Sequence, residues 1–319
     1  MSLATPPPFV TVAICTRNRS SQIGGILDTL RANLYPDFRV LVVDQSQDDA
    51  TEQLVRRLQL DWPRLDYLHL TRAGLSYSRN AAIAAATGAI VAFTDDDCLA
   101  SNTWVAQIAE AFVADPALDV LFGRVLPDQG LAENQIPVAV QPSRVPRTLT
   151  GLPNPLAINL FTLGLGNSMA FRRARLRLIG LFDEMFGAGS PLYGGEDVDI
   201  LYRALAAGLK VAYQPSVLCY HRMWRGPEQV DTLYLRTHIS AGALLAKHLR
   251  QGTPGARLYA ASRFWYFVVR PALRGVLTAS SDRVRRSLAA GAATFRGMRR
   301  YHDQVAELAL QERLSHEQA

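Results

Sequence analysis

Two hydrophobic periods take turns along the first 220 residues. Short, β-branched apolar runs are each followed by a stretch in which apolar residues recur every three or four positions. The runs at residues 10–15, 39–44, 67–70, 90–94, 167–171 and 209–213 predict strands. Between them, Ile23, Ile26, Leu27 and Leu30 mark one helical face, with Ser20 or Ser21 as its N-cap. Asp48 or Asp49 caps a second helix reaching about Leu60, and residues 75–87 predict an alanine-rich helix closed by Gly88. Further helices are predicted near residues 102–114 and over residues 196–207, the latter closed by Gly208. Strands alternating with helices predict the α/β class, a Rossmann-like, mostly parallel sheet flanked by helices.

The pattern fails over residues 127–166, where prolines recur and no period holds; a stretch of this kind within a compact domain is usually functional or mobile. Residues 148–171 carry no charge and are long enough to span a bilayer, but Pro153, Asn154, Pro155, Asn159, Asn167 and three glycines favour a buried or interfacial loop. Beyond residue 224 the character turns helical. The expected division is a domain over residues 1–235 and a basic helical C-terminal extension over 236–319.

Composition sharpens this picture. With 49% apolar and 19% charged residues, the 319-residue chain can bury a substantial core. Its charge is uneven: residues 241–319 hold 13 Lys and Arg against 5 Asp and Glu, whereas the first 240 hold 21 against 23. A near-neutral body argues against nucleic acid as the partner, and a basic tail suits a phospholipid surface. Residues 259–277 mix Phe264, Trp265, Tyr266, Phe267, Val268 and Val269 with Arg263, Arg270 and Arg274, which fits either a membrane interface or a packed helix with a wet basic side. Three scattered cysteines (Cys15, Cys98, Cys219) form neither a disulfide framework nor a CxxC site, and residues 1–8 lack the features of an export signal. The expected setting is the cytoplasm, with peripheral contact on the inner face of the membrane.

The candidate chemistry lies in two acidic groups. Asp95, Asp96 and Asp97 follow a strand predicted to be central, and three adjacent carboxylates repel one another unless a cation relieves them. In an extended segment Asp95 and Asp97 would share a face as metal ligands, and Asp96 would turn towards a ribose or a helix end. A solvated acidic turn or a double N-cap is the plainer explanation. Glu196 and Asp197 follow Gly194–Gly195 at a predicted helix start, where they are either capping residues or a general base removing a hydroxyl proton. Asp197 is the preferred base, with Glu196 second. His221, past the last predicted strand, is a candidate third metal ligand or simply a packed histidine. Thr16, Arg17 and Arg19 would line a nucleotide pocket, and Arg79 would clamp a phosphate or the base; ordinary loop and surface polarity is the alternative.

The string of motifs resembles the family 2 glycosyltransferases, which use the GT-A fold. The matching segments are VTVAICTRNR (10–19), VLVVDQSQDD (40–49), GLSYSRNAAIAAATGAIVAFTDDD (74–97), GNSMAFRR (166–173) and YGGEDVDILYRALAAGLKVAY (193–213). The resemblance covers roughly residues 8–224. It implies that Thr16 and Asp44 contact a nucleobase, Arg79 lies beside the nucleotide, Asp95 and Asp97 bind Mg²⁺ or Mn²⁺, and Asp197 is the base. It further implies transfer from a nucleotide-diphosphate sugar to a hydroxyl of a glycan or lipid-linked acceptor, with inversion. The chain departs from the family where Cys98 follows the aspartates. The Gln-x-x-Arg-Trp signature of polymerising members is also absent, because Met223 precedes Trp224. Transfer of one sugar per encounter is therefore expected. A retaining transferase and a sugar nucleotidyltransferase are the rival enzymes, although the latter would open with a glycine-rich loop where Thr16–Ser21 has no glycine. A non-catalytic sugar-nucleotide sensor or scaffold is the rival from another class.

Overall fold

The computed structural model describes residues 7–128, 135–154, 160 and 163–317. The described residues divide into two compact units. The first contains β1 (Val10–Thr16), α1 (Ser20–Arg31), β2 (Phe38–Asp44), α2 (Ala50–Gln59), β3 (Leu65–His69), α3 (Leu75–Ala85), β4 (Ile90–Asp95) and β5 (Cys98–Ala100). It continues through α4 (Trp104–Ala114), β6 (Leu118–Pro127), β7 (Ile136–Pro137), β8 (Arg147–Thr150), β9 (Ser168–Arg172), α5 (Leu176–Ile179), α6 (Glu196–Ala206), β10 (Lys210–His221) and β11 (Trp224–Arg225). The second contains residues 185–195 and the helices α7 (Pro227–Arg250), α8 (Ala256–Phe264), α9 (Arg270–Leu277) and α10 (Ser281–Glu317).

The main sheet runs β3-β2-β1-β4-β9-β6-β10-β5, with β8 also on β10. β1 is parallel to β2 and β4, and β2 to β3; β9 is antiparallel to both β4 and β6. β4 and β6 therefore run the same way, and β10 is parallel to β6. The carboxyl ends of β1, β2, β4, β6 and β10 thus lie along one edge, where ligands of open α/β sheets bind. Val10, Val12, Val40, Val42, Ile90 and Ala92 are wholly buried, as expected for strands covered on both faces.

Several predicted ends move, each for a local reason. Arg19 takes the N-cap position of α1, and Ser20 is its first residue. α3 ends at Ala85 with Ala86 extended, so Gly88 closes no helix. Glycine is required there because a Cβ would lie 2.6 Å from the Phe9 carbonyl oxygen. Gly208 does close α6, with φ of +76°. The largest difference is β6, a ten-residue strand between β9 and β10 that no predicted run covers; β10 in turn runs on to His221 beyond the predicted end at residue 213. Pro215 lacks an N–H and ends the apolar run, but the ladder only slips: Gln214 pairs with Gly123 and Leu218 with Arg124.

That bulge shapes the site. β4 and β5 are four steps apart in the sheet order, about 19 Å if the sheet were flat. Yet Cys98 follows Asp95 by three residues, a reach of at most about 10 Å. The sheet is therefore rolled, and the acidic turn spans its inside from β4 to β5. The antiparallel β5/β10 pairing sets Cys98 opposite His221.

In the second unit, α8, a π-helical turn (Trp265–Val269) and α9 succeed one another directly. Pro271, in the first turn of α9, cannot donate to the Phe267 carbonyl, and the widened turn accommodates that loss. α7 and α10 cross backbone to backbone: a Cβ on Gly242 would sit 1.9 Å from the Thr294 carbonyl oxygen, and one on Gly297 1.9 Å from that of Ile239. Among the described residues no helix is long and apolar enough to cross a membrane. Part of the uncharged stretch 148–171 lies outside the described residues; its ends are β8 and β9.

Candidate active site

Asp95 ends β4, and Asp96 and Asp97 form the turn before β5, so the expected two-residue alternation stops at Asp95. Asp96 and Asp97 instead share a partner. The Arg19 guanidinium lies 2.7 Å from Asp96 Oδ1 and 3.0 Å from Asp97 Oδ2, and Thr16 Oγ1 donates to Asp96 Oδ2 at 2.7 Å. Asp96 is therefore held against the end of β1. Arg17 is exposed on the same loop. Burial raises the Asp96 carboxyl above its usual range, and Thr16 and Arg19 oppose that shift.

Asp97 meets His221. The Arg222 N–H donates to the Asp97 carbonyl at 2.8 Å, fixing the turn on the last residues of β10. The His221 ring is 1% exposed, and its Nδ1 lies 2.9 Å from the Val138 carbonyl, which can only accept. Nδ1 therefore carries a proton, and in the neutral ring Nε2 presents its lone pair. That atom lies 3.2 Å from Asp97 Oδ1 without an aligned hydrogen bond. A lone pair facing a carboxylate calls for a cation between them, either a proton or a metal. Burial alone would depress the imidazole and raise the carboxyl, but their proximity outweighs it, holding His221 above and Asp97 below their usual ranges.

These donors fit a divalent ion. Asp97, Cys98 and His221 bring ligand atoms within 4.8 Å of one another, and the backbone carbonyl that orients His221 is the usual outer support of a metal-binding imidazole. Cys98 is the poor member. Neighbouring Cys219 and burial hold its thiol well above the usual range, and Mg²⁺ and Mn²⁺ favour oxygen donors. Asp95 is outside that convergent set and faces Arg79, with 3.6 Å between Oδ1 and Nη2.

Arg79 is the residue whose place the sequence concealed. Expected beside a nucleotide, it is 2% exposed, walled by the rings of Phe93 and Phe182. Its Nη1 lies 2.8 Å from Glu196 Oε1, and its Nη2 donates to the Gly166 carbonyl at 3.3 Å. The Gly166 N–H in turn donates to Asp197 Oδ2 at 3.0 Å, while Asp197 Oδ1 accepts from Val198 N at 2.8 Å. One buried cation thus joins the strand-end acids to the first turn of α6. Burial pushes the Glu196 carboxyl up to about 7, against the pull of Arg79. Gly166 carries no sequence signal of its role: a Cβ there would lie 2.9 Å from Arg79 Nη2.

Asp44 is likewise buried, at 0% exposure, with both oxygens in use. Oδ1 accepts from the Ser46 N–H at 2.8 Å and from its hydroxyl at 2.5 Å, and Oδ2 accepts from the Tyr67 hydroxyl at 2.9 Å. Asp44 therefore braces the turn after β2. Ser46 and Tyr67 went unread because lone hydroxyls are common.

A rolled, mostly parallel sheet with acids gathered at its carboxyl edge defines a GT-A-type transferase fold. The same fold is seen in the mannosyltransferase PcManGT of Pyrobaculum calidifontis in complex with GDP-Man and Mn²⁺ (TM-score 0.60, 22% identity, covering 96% of this chain and 82% of that one). Residues 11–179 match the model of Glycosyl transferase family 2, and the chain belongs to that family. The glycosyltransferase AglE of Haloferax volcanii is 31% identical over 121 residues, 37% of this chain and 40% of that protein. The pre-mycofactocin glycosyltransferase of Mycobacterium tuberculosis is 28% identical over 215 residues, 66% of this chain and 42% of that protein. The matches thus span about two-fifths of the length of these two relatives.

Proposed function

We propose that the protein transfers one sugar from a nucleotide-diphosphate sugar to a hydroxyl of a glycan or lipid-linked acceptor, inverting the anomeric carbon. The observation that carries this reading is Arg79 touching both Asp95 and Glu196, which brings the donor-side and acceptor-side acids within one side chain's reach. Asp97 and His221, with Asp95 beside them, would hold Mg²⁺ or Mn²⁺. When bound, that ion supplies positive charge against the departing diphosphate. Arg19, whose side chain is 36% exposed, can turn its guanidinium towards phosphate oxygens. Asp197, oriented by the N–H groups of Gly166 and Val198, takes the acceptor's proton, and Glu196 on Arg79 keeps that turn in place. The transferase occupies residues 1–235. The basic extension, 236–319, brings the chain to the inner, cytoplasmic face of a membrane through residues 241–319.

Thermal shifts against nucleoside diphosphates, with and without Mn²⁺, test the donor half. A Mn²⁺-dependent rise in melting temperature is expected for wild type and for Asp197→Asn, and its loss in Asp97→Ala. In a donor–acceptor assay Asp197→Asn should lower kcat by at least about 100-fold. Ligand binding unaffected by Asp97→Ala would remove the metal from this account, and full turnover by Asp197→Asn would remove the base.

A further inference from the structure

Along the α8–π–α9 segment of the helical unit, large apolar side chains stand open to solvent at regular intervals. Leu258 is 51% exposed, Trp265 44%, Val269 42%, Leu273 53%, Val276 68% and Leu277 85%. The spacings from Trp265 to Val276, four, four and three, put these four on one helical stripe about 17 Å long, with Leu277 at its flank. The opposite side is packed: Tyr259 and Arg263 are buried, and Gly275 lies against Val284 of α10. The stripe is therefore surplus to the unit's own core, and exposed apolar surface of this extent marks an interaction face.

Charge says what covers it. Residues 232–281 contain seven Lys and Arg and no Asp or Glu. Arg257, Arg270 and Arg274 are exposed beside the stripe. A second copy of the chain would set these arginines against their counterparts, with no carboxylate on this segment to meet them. Anionic headgroups meet them directly, while Leu, Val and Trp enter the boundary between headgroups and acyl chains. Trp and Arg side by side are the composition of that boundary. With four arginines the segment is too charged to cross a bilayer and has the form of a helix lying in its plane.

We propose that the face of the π-helical turn and α9 carrying Trp265, Val269, Leu273 and Val276, bordered by Arg270 and Arg274, docks on an anionic phospholipid surface. This narrows the membrane contact of residues 241–319 to one face and is independent of the transfer chemistry.

The test is sedimentation of the full-length protein with vesicles of phosphatidylcholine alone or with one-quarter phosphatidylglycerol. Binding at least tenfold tighter to the anionic vesicles is expected, falling with added salt, together with a blue shift of Trp265 emission. Leu273→Glu, and separately Arg270→Glu with Arg274→Glu, should each lower that affinity about tenfold or more. Unchanged melting temperatures and nucleotide-induced thermal shifts would show that the variants are folded. Leu34→Glu, at an exposed site in the other unit, serves as the control and should bind as wild type does. Anionic binding that survives both sets of substitutions would overturn the face while leaving a membrane role for the rest of 241–319. No vesicle binding at all would overturn both, as would a dimer that Leu273→Glu dissociates without affecting vesicle binding.

Discussion

At Glu196 two demands compete: burial disfavours the charged carboxylate, and Arg79 at 2.8 Å favours it. Burial wins, and the group titrates near 7 in the fold against 4.5 in the unfolded chain. The folded state therefore holds this proton more tightly. Its contribution to stability is complete below pH 4.5 and is lost as the pH rises through about 7. Denaturation at a series of pH values should show wild type losing up to about 3 kcal/mol relative to Glu196→Gln between pH 4 and 8. Parallel curves would mean that Glu196 does not titrate in that window. Residue types were legible in the sequence at this scale, but their depth was not. Asp95 and Asp97 could be picked out because adjacent carboxylates repel one another, and Glu196, Asp197 and His221 because they fall at predicted helix and strand ends. Arg79 and Asp44 were picked out too, yet nothing in their neighbours says that each is enclosed and spends its polar atoms on the protein.

Period and punctuation revealed most elements, and they failed where backbone meets backbone. β10 outruns its predicted end at residue 213 because the sheet absorbs Pro215 as a bulge and carries His221 to Cys98. Gly88 reads as a helix stop and is in fact a point of strand contact. The crossing of α7 and α10 belongs to the same class. Gly242 and Gly297 look like weak points in helices, yet a side chain on either would enter the facing backbone. Gly242→Ala gains about 1 kcal/mol in helix propensity and incurs an overpacking strain of 1–3 kcal/mol or more, on the order of typical core insertions. Strain against a carbonyl cannot be relieved by a side-chain rotation, so it dominates. A fall in melting temperature is expected by calorimetry, and a rise would show that the two helices can separate at no cost.

For the molecule as a whole, five sequence segments in order and a strand–helix alternation were enough to anticipate the α/β sheet and the family, because both depend on periodicity and on residues at one edge. The rolling of the sheet was not anticipated, since it follows from long-range pairing. The stereochemical prediction belongs at this scale, because it depends on which side of the donor each acidic group occupies. In the proposed mechanism Asp197 acts on the face opposite the leaving diphosphate, and a single displacement there would invert the anomeric carbon. Proton NMR of the first-formed product should show the anomeric coupling of the opposite configuration from the donor. Retention would place the acceptor hydroxyl on the same face as the diphosphate.

The parallel register of β2, β1 and β4 sets Asp44 level with Thr16, and Cys15 level with Asp95. Neighbouring strands are held about 4.8 Å apart by their hydrogen bonds, so the two outer landmarks stand about 10 Å apart, whatever the loops do. A donor laid across these tips, as the proposed function has it, would meet an interval set by the backbone ladder and not by the loops.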